Sequence, residues 1–132
     1  MTDELRGVGV RRSAGLTVLL FGAYLILLGT TLVLIPNVLL GIFGIPDAHE
    51  VWIRILGGVL AAIGYLYVEG GRAESRWFMR ASVLSRAWVG ALLFALVFFG
   101  LAPPVIVLFG TVDLAGAAWT AHALGWPRVH RE

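Results

Sequence analysis

The chain has 132 residues, of which 59% are hydrophobic and only 14% are charged, and its mean hydropathy is +0.89. A soluble domain this small exposes much of its surface and could not hide so much apolar area, so the composition excludes an ordinary soluble domain and favours one integral membrane domain over residues 1–132. The net charge of +2 comes from arginines that flank apolar segments, which argues against a nucleic-acid partner, and the absence of cysteine excludes disulfides and thiol redox chemistry.

Four apolar segments are long enough to cross a bilayer, which takes about 20 residues in a helix. They cover about residues 14–35, 51–68, 83–102 and 105–124. The predicted fold is therefore all-α, an integral membrane antiparallel bundle of four transmembrane helices.

The first span, Ala14–Ile35, carries no charge. It is too long for the apolar part of a cleaved signal peptide, so we predict that it is retained. Pro36 is expected to end the helix, since proline lacks the N–H donor that a helix interior needs. The loop that follows is itself apolar, and Val38–Ile45 either lies in the membrane interface or dips back among the helices.

A charged segment, Glu69–Arg80, separates the first two spans from the last two. Within it, Arg72, Arg76 and Arg80 are spaced by four residues, which on a helix places them in one stripe. This pattern predicts a short interfacial helix before the third span. The three arginines are candidate contacts for lipid head groups, although control of topology explains them equally well.

Arginine is distributed unevenly between the two sides of the predicted bundle. The N-terminus, the middle loop and the C-terminus together hold eight of the ten arginines, and the other two loops hold none. By the positive-inside rule, both termini and the middle loop lie in the cytoplasm, which predicts a multi-pass protein of the cytoplasmic membrane. The eight are Arg6, Arg11, Arg12, Arg72, Arg76, Arg80, Arg128 and Arg131.

Two charges inside the spans, Arg54 and Asp113, are predicted to form a buried ion pair. A lone charge at the bilayer centre costs at least about 2.5–3.5 kcal/mol, so a partner is expected. The pair either locks the second span to the fourth or contacts a ligand. A third alternative is that Arg54 does not pair with Asp113 and extends its side chain to the outer surface, near Glu50. Arg86, in the third span, is expected to extend its side chain to the cytoplasmic surface.

Small residues in the spans indicate close helix contacts, because lipid gives apolar side chains no reason to associate. Gly15, Gly22 and Gly29 recur every seven residues and share one face of the first span. Other small or aromatic residues share the faces of the two charges and are candidates to line a pocket. These are Gly57, Gly58, Tyr65, Gly110 and Ala117.

Catalytic and cofactor motifs are absent from the sequence. His49-Glu50 has no second histidine at zinc-helix spacing, and no nucleophile elbow or phosphate-binding glycine loop occurs. We therefore expect no metal, no cofactor and, on balance, no enzyme activity.

Three local patterns accompany the four-span layout: Phe43-Gly44 in the outer loop, Arg54-x-x-Gly57 opening the second span, and Phe109-Gly110-x-x-Asp113-Leu114 in the fourth. In these features the chain resembles the DoxX-like group of small bacterial four-helix membrane proteins. The resemblance implies a compact antiparallel bundle and a role as an accessory membrane subunit.

The small residues and the lack of a catalytic constellation also favour an accessory, assembly or interaction subunit. Its expected partners are membrane lipids and either another membrane protein or a second copy of the chain. The alternative is a binder or carrier of a small apolar or amphipathic ligand, held in an intramembrane pocket and oriented by Arg54 and Asp113.

Overall fold

Residues 2–126, which the computed structural model describes, form five helices: α1 (Thr2–Leu34), α2 (Pro36–Ile42), α3 (Trp52–Arg72), α4 (Arg76–Phe98) and α5 (Ile106–Leu124). The long helices α1, α3, α4 and α5 are each long and apolar enough to cross a membrane. The all-α fold and the four candidate spans are thereby confirmed. Arg128 and Arg131, which entered the topology argument, lie outside the described residues.

Helix α1 begins at Thr2, well before the predicted start at residue 14. Its polar first turns contain good helix formers and no proline, and Asp3 and Glu4 complement the positive end of the helix dipole. At about 1.5 Å per residue, the 33-residue helix is about 50 Å long, which exceeds the bilayer core of about 30 Å. The arginine-bearing first turns therefore extend beyond the apolar part of the bundle.

Helices α1 and α3 touch backbone to backbone through glycine. A Cβ atom built at Gly15 would lie 2.7 Å from the carbonyl oxygen of Gly71, and one built at Gly64 would lie 2.7 Å from that of Gly22. Rising residue numbers on α1 meet falling numbers on α3, so the two helices run antiparallel. The predicted seven-residue glycine face is confirmed, and α3 repeats it. The facing pairs are Gly15 with Gly71, Gly22 with Gly64, and Gly29 with Gly57.

Helices α4 and α5 form a second antiparallel pair, which meets at Gly90 and Gly110 and through side chains packed around these glycines. A Cβ atom built at Gly90 of α4 would lie 2.6 Å from the Leu114 side chain of α5, and one at Gly110 would lie 3.0 Å from Phe94. Helix α5 also packs against α1. The two helix pairs are joined mainly along this α1–α5 contact.

Most large apolar side chains face outward. Leu27, Phe98 and Leu101 are each at least 70% exposed, whereas the buried apolar cluster is small and centres on Val18, Phe21 and Met79. Soluble monomers rarely expose an apolar surface this extensive to water. The arrangement suits a lipid environment.

The loop after α1 contains a short helix that was not predicted as such. Pro36 does not merely end α1; it occupies the first turn of α2, where its missing N–H is not needed. Leu40 is buried, and the Phe43 ring lies 5.0 Å from the Phe109 ring, centroid to centroid. The Asn37 side-chain oxygen accepts a hydrogen bond of 2.8 Å from the Ala48 N–H, which closes the loop. The segment therefore packs over one end of the bundle.

The prediction of a separate interfacial helix over Glu69–Arg80 is wrong. Helix α3 continues to Arg72, and α4 begins at Arg76 after a tight turn in which Glu74 has a positive φ of 50°. The reason is local: the Ser75 hydroxyl accepts from the Phe78 N–H at 3.3 Å and caps the new helix.

The predicted arginine stripe is consequently divided between two helices. Arg76 and Arg80 lie on α4, whereas Arg72 ends α3 and forms an ion pair with Glu69 at 3.5 Å. All three side chains are exposed, as a contact with lipid head groups would require.

Candidate functional site

Arg86 is the most deeply buried charged residue that the structure describes. It is 2% exposed, so the expectation that it reaches the cytoplasmic surface is wrong. Its Nε donates a hydrogen bond to the Ser82 carbonyl at 3.3 Å, and its Nη2 donates to the Thr120 hydroxyl at 2.6 Å. These hydrogen bonds offset part of the free-energy cost of removing the guanidinium from water.

The Thr120 hydroxyl also forms a hydrogen bond with α1. It lies 2.7 Å from the Thr17 hydroxyl, which itself donates to the Ala14 carbonyl at 2.7 Å. Because the Thr17 proton is already used, the Thr120 hydroxyl must be the donor between the two threonines. A directed chain of hydrogen bonds therefore runs from Arg86 on α4 through α5 to α1.

Aromatic rings enclose the same guanidinium. The Arg86 Cζ lies 4.6 Å from the centroid of the Phe21 ring and 5.9 Å from that of Tyr67, distances at which a cation is attracted to a ring face. Phe21 belongs to α1 and Tyr67 to α3. All four long helices thus contribute to the surroundings of one charge.

One terminal nitrogen of Arg86, Nη1, is buried without a hydrogen-bond partner among the described residues. It faces α5 at Gly116, where a Cβ atom would lie only 2.9 Å away. A buried donor on a charged group that lacks an acceptor is costly. This nitrogen therefore marks a position at which an acceptor would be stabilising.

A cavity of about 330 Å³ occupies the half of the bundle that α2 covers. Its volume is at the lower end of the range for small-molecule sites. Its lining is apolar apart from Tyr24 and Asp113. All five helices contribute to the lining, including Leu28, Leu32, Leu40, Leu60, Leu93 and Phe109.

The Arg86 layer lies about one helical turn from this cavity on each of three helices. On α4, the cavity-lining Val89 is three residues after Arg86. On α1, Tyr24 is three residues after Phe21, and their rings are 5.7 Å apart. On α5, Asp113 is three residues before Gly116. Residues with this spacing are neighbours on a helix face, so the Arg86 layer lies next to the end of the cavity that Asp113 lines, while Arg86 itself is not among the lining residues.

No family model, curated protein or solved structure matches the chain. The site is therefore interpreted from its own geometry. Within residues 2–126, no group of three or more histidine, aspartate or glutamate side chains is placed to hold a metal ion.

The structure does not form the predicted ion pair between Arg54 and Asp113. Arg54 is exposed, and its guanidinium donates to the carbonyls of Val33 and Leu34 at the end of α1. The carbonyl end of α1 carries a partial negative charge and lies within hydrogen-bonding distance of the Arg54 guanidinium, which explains why Arg54 binds there. The one ion pair within residues 2–126 joins Arg72 to Glu69. Of the two predicted residues, Asp113 alone lines the cavity.

The predicted pocket-lining residues lie elsewhere. Gly57, Gly110 and Ala117 are buried in helix contacts, while Gly58 and Tyr65 are exposed, and none of the five borders the cavity. The physical reason is that small residues bring backbones together and remove space. The cavity instead forms where long side chains hold the helices apart.

Sequence reasoning missed the central position of Arg86, although a signal was present. Ser82, Arg86 and Gly90 are spaced by four residues and share one face of α4, and all three are buried. A small residue on either side of an arginine indicates that this face is turned toward another helix rather than toward lipid.

Proposed function

We propose that this protein is an integral protein of the cytoplasmic membrane whose four long helices span the bilayer as an antiparallel bundle and that it binds or carries a small apolar or amphipathic molecule. The cavity of about 330 Å³ is the observation that supports this proposal. A purely structural bundle has no need of such a void, because unfilled core space is destabilising. An occupant would recover that loss.

The proposed orientation of the bundle in the membrane follows from the positions of the exposed arginines. Exposed Arg11, Arg12, Arg76 and Arg80 lie at the end of the bundle where Gly15 meets Gly71, and the positive-inside rule assigns that end to the cytoplasm. The cavity lies toward the opposite end, beneath α2. The ligand would then enter from the outer leaflet or from between the helices on that side.

Asp113 is the group that we assign to orient the ligand, in place of the Arg54–Asp113 pair. It is only partly buried, and it is the one acidic residue of the cavity lining. A single polar group in an otherwise apolar pocket fixes how an amphipathic molecule lies.

A blocking substitution tests the proposal. In Leu93→Trp, the larger side chain points into the cavity, whereas Leu92→Trp places the same residue on the exposed face of the same helix. The protein in lipid nanodiscs is titrated with n-decane and 1-decanol, while thermal unfolding and native mass spectrometry report binding.

Wild type and Leu92→Trp should both gain thermal stability and retain the added molecule, because a ligand that binds only the folded state stabilises it by mass action. Leu93→Trp should do neither. Equal binding by both variants would show that the probes associate with the outer surface, and the proposal would fail.

The accessory-subunit role and the resemblance to the DoxX-like group stay predictions. Both are compatible with a ligand site, since an accessory subunit can present a small molecule to its partner. We further propose that the exposed Arg72, Arg76 and Arg80 contact anionic lipid head groups, at about 1 kcal/mol per residue near the surface.

A further inference from the structure

We infer that the ligand enters and leaves the cavity through a second pocket at the outer end of the bundle, past the side chains of Ile53 and Leu56. This inference rests on the proposed function and adds the route by which the ligand reaches its site. Three observations support it: the two spaces share lining residues, the roof of the cavity is fixed, and close helix contacts lie at the level of the cavity.

The second pocket, called the outer pocket below, has a volume of about 670 Å³. It is lined by residues 47–50 of the loop before α3, together with Trp52, Ile53 and Leu56 of α3. The side chains of Asp47 and Glu50 are exposed, so the outer pocket is open to the surroundings of the protein. In the proposed orientation, these surroundings are the water outside the membrane.

Two residues connect the outer pocket with the cavity. Ile53 and Leu56 border both spaces. They are three residues apart and are therefore neighbours on one face of α3. The cavity and the outer pocket thus lie against the same pair of side chains, which we call the neck.

The neck is not fixed in the core of the bundle. Leu56 is 49% exposed and Ile53 is only partly buried. Exposed side chains change rotamer within picoseconds to nanoseconds, whereas buried ones are held by close packing. Rotation of the Leu56 side chain can therefore widen the neck while the backbone of α3 stays in place.

The roof of the cavity, by contrast, is held at three points. Leu40 of α2 is buried, and the Phe43 ring lies 5.0 Å from the Phe109 ring. The hydrogen bond of 2.8 Å from the Ala48 N–H to the Asn37 side chain closes the loop. A ligand that entered through the roof would have to break these contacts.

Two helix contacts close further sides of the cavity. A Cβ atom at Gly57 of α3 would lie 2.6 Å from the Gly29 carbonyl oxygen of α1, and one at Gly110 of α5 would lie 3.3 Å from that of Gly90 of α4. The residue before each of these four glycines lines the cavity, so both contacts are at its level. Passage there would require two helices to separate, which is a larger change than the rotation of one exposed side chain.

A reversible block of the outer pocket tests the route. The natural chain has no cysteine, and Ala48→Cys places one thiol in the outer pocket, outside the cavity lining. Reaction with a bulky methanethiosulfonate fills the pocket, and a reductant removes the added group. Ile42→Cys is the matched control, because Ile42 is exposed on α2 and borders neither space.

The probe is a decanol that carries a terminal trifluoromethyl group, added to the protein in nanodiscs. Fluorine NMR exchange spectroscopy gives its entry and exit rates, and the bound population gives its affinity. Modification of Ala48→Cys should slow both rates at least about tenfold and leave the affinity unchanged, because the barrier rises while the free and bound states stay the same. The reductant should restore both rates, and modified Ile42→Cys should exchange as wild type does.

A variant that widens the neck gives the opposite expectation. Leu56→Ala should raise the entry rate several-fold. Leu60→Ala makes the same truncation on the same helix, but Leu60 lines the cavity and not the outer pocket. Leu60→Ala should therefore leave the entry rate unchanged.

The outcomes separate the two proposals. If modification of Ala48→Cys leaves both rates unchanged, or lowers the affinity without slowing exit, the route is overturned and the cavity stays a ligand site. Equal entry rates in Leu56→Ala and Leu60→Ala would also contradict the route. If wild type shows no bound signal that Leu93→Trp abolishes, the proposed function fails and this inference fails with it.

Discussion

Thr17 and Thr120 share a hydrogen bond of 2.7 Å in the buried contact between α1 and α5. These residues are 103 positions apart in the chain, and Thr120 is completely inaccessible. The same Thr120 oxygen receives the hydrogen bond from Arg86. The contact between the two helix pairs is therefore built around one hydroxyl that both accepts and donates.

Removing that hydroxyl should destabilise the protein without changing its shape. Thr120→Val keeps the volume, breaks the bonds to Arg86 and Thr17, and should lower the free energy of unfolding by about 1–2 kcal/mol. Thr111→Val on the same helix removes an exposed hydroxyl and should change it by less than about 0.5 kcal/mol. Denaturant unfolding in detergent measures both, and equal effects would contradict the role assigned to Thr120.

The two intramembrane arginines should respond very differently to the same substitution. Arg86→Gln removes a buried cation, two hydrogen bonds and the contact with Phe21, and should cost about 3 kcal/mol or more. Arg54→Gln removes an exposed side chain that bonds to the end of α1, and should cost about 1 kcal/mol or less. The comparison uses thermal unfolding of both variants in the same detergent. A larger loss in Arg54→Gln would restore the Arg54-centred interpretation.

Two adjacent glycines of α3 should give effects of opposite sign. A Cβ atom at Gly57 would lie 2.6 Å from the Gly29 carbonyl oxygen, so Gly57→Ala should force α1 and α3 apart and cost about 1–3 kcal/mol. Gly58 has nothing within 4 Å of the corresponding position, so Gly58→Ala should gain up to about 1 kcal/mol of helix propensity. Chemical unfolding of the two variants checks both signs. Destabilisation by Gly58→Ala would indicate a helix contact on that face.

The proposed topology can be read with single cysteines, because the natural chain has none. Arg76→Cys, at the start of α4, should react with an impermeant thiol reagent only from the cytoplasmic side. Asp47→Cys, in the loop between α2 and α3, should react only from the outside. Both positions are exposed, and the lipid-facing Leu27→Cys serves as the unreactive control. Labelling of Arg76→Cys in intact cells would show that the orientation is the reverse of the proposed one.

The spans could be predicted from the sequence because lipid imposes a length and a composition on any crossing helix. The glycine face of α1 could also be predicted, since its seven-residue period is independent of the rest of the fold. The side chains that lie next to each charged residue of the spans could not be predicted. Whether Asp113 meets Arg54 or lies near Arg86 depends on how far α3 and α4 slide along their neighbours, and a depth estimate at 1.5 Å per residue does not resolve one helical turn.

An intramembrane pocket that includes Asp113 was among the predicted alternatives, but the position of the cavity and the rest of its lining could not be predicted. Apart from Tyr24 and Asp113, its walls are leucine, isoleucine, valine and phenylalanine side chains, which in any span are equally compatible with facing lipid or facing the core. Helix α2 could not be recognised either, since a seven-residue, largely apolar segment that begins with a proline looks the same in a loop, in an interface and over the end of a bundle. What distinguishes these cases is tertiary packing, which no local pattern records.

The glycine contact between α1 and α3 has a mechanical consequence. The backbones of that pair approach each other at three levels, whereas those of α4 and α5 approach only where Gly90 meets Gly110, so the α1–α3 pair is the more firmly fixed of the two. The α4–α5 pair, in which Leu114 and Phe94 pack beside that single glycine contact, meets the α1–α3 pair chiefly along the α1–α5 contact, where Thr17 and Thr120 share their hydrogen bond. A ligand too large for the cavity would therefore displace α4 and α5 rather than separate α1 from α3. The α1–α5 contact would then bear the strain.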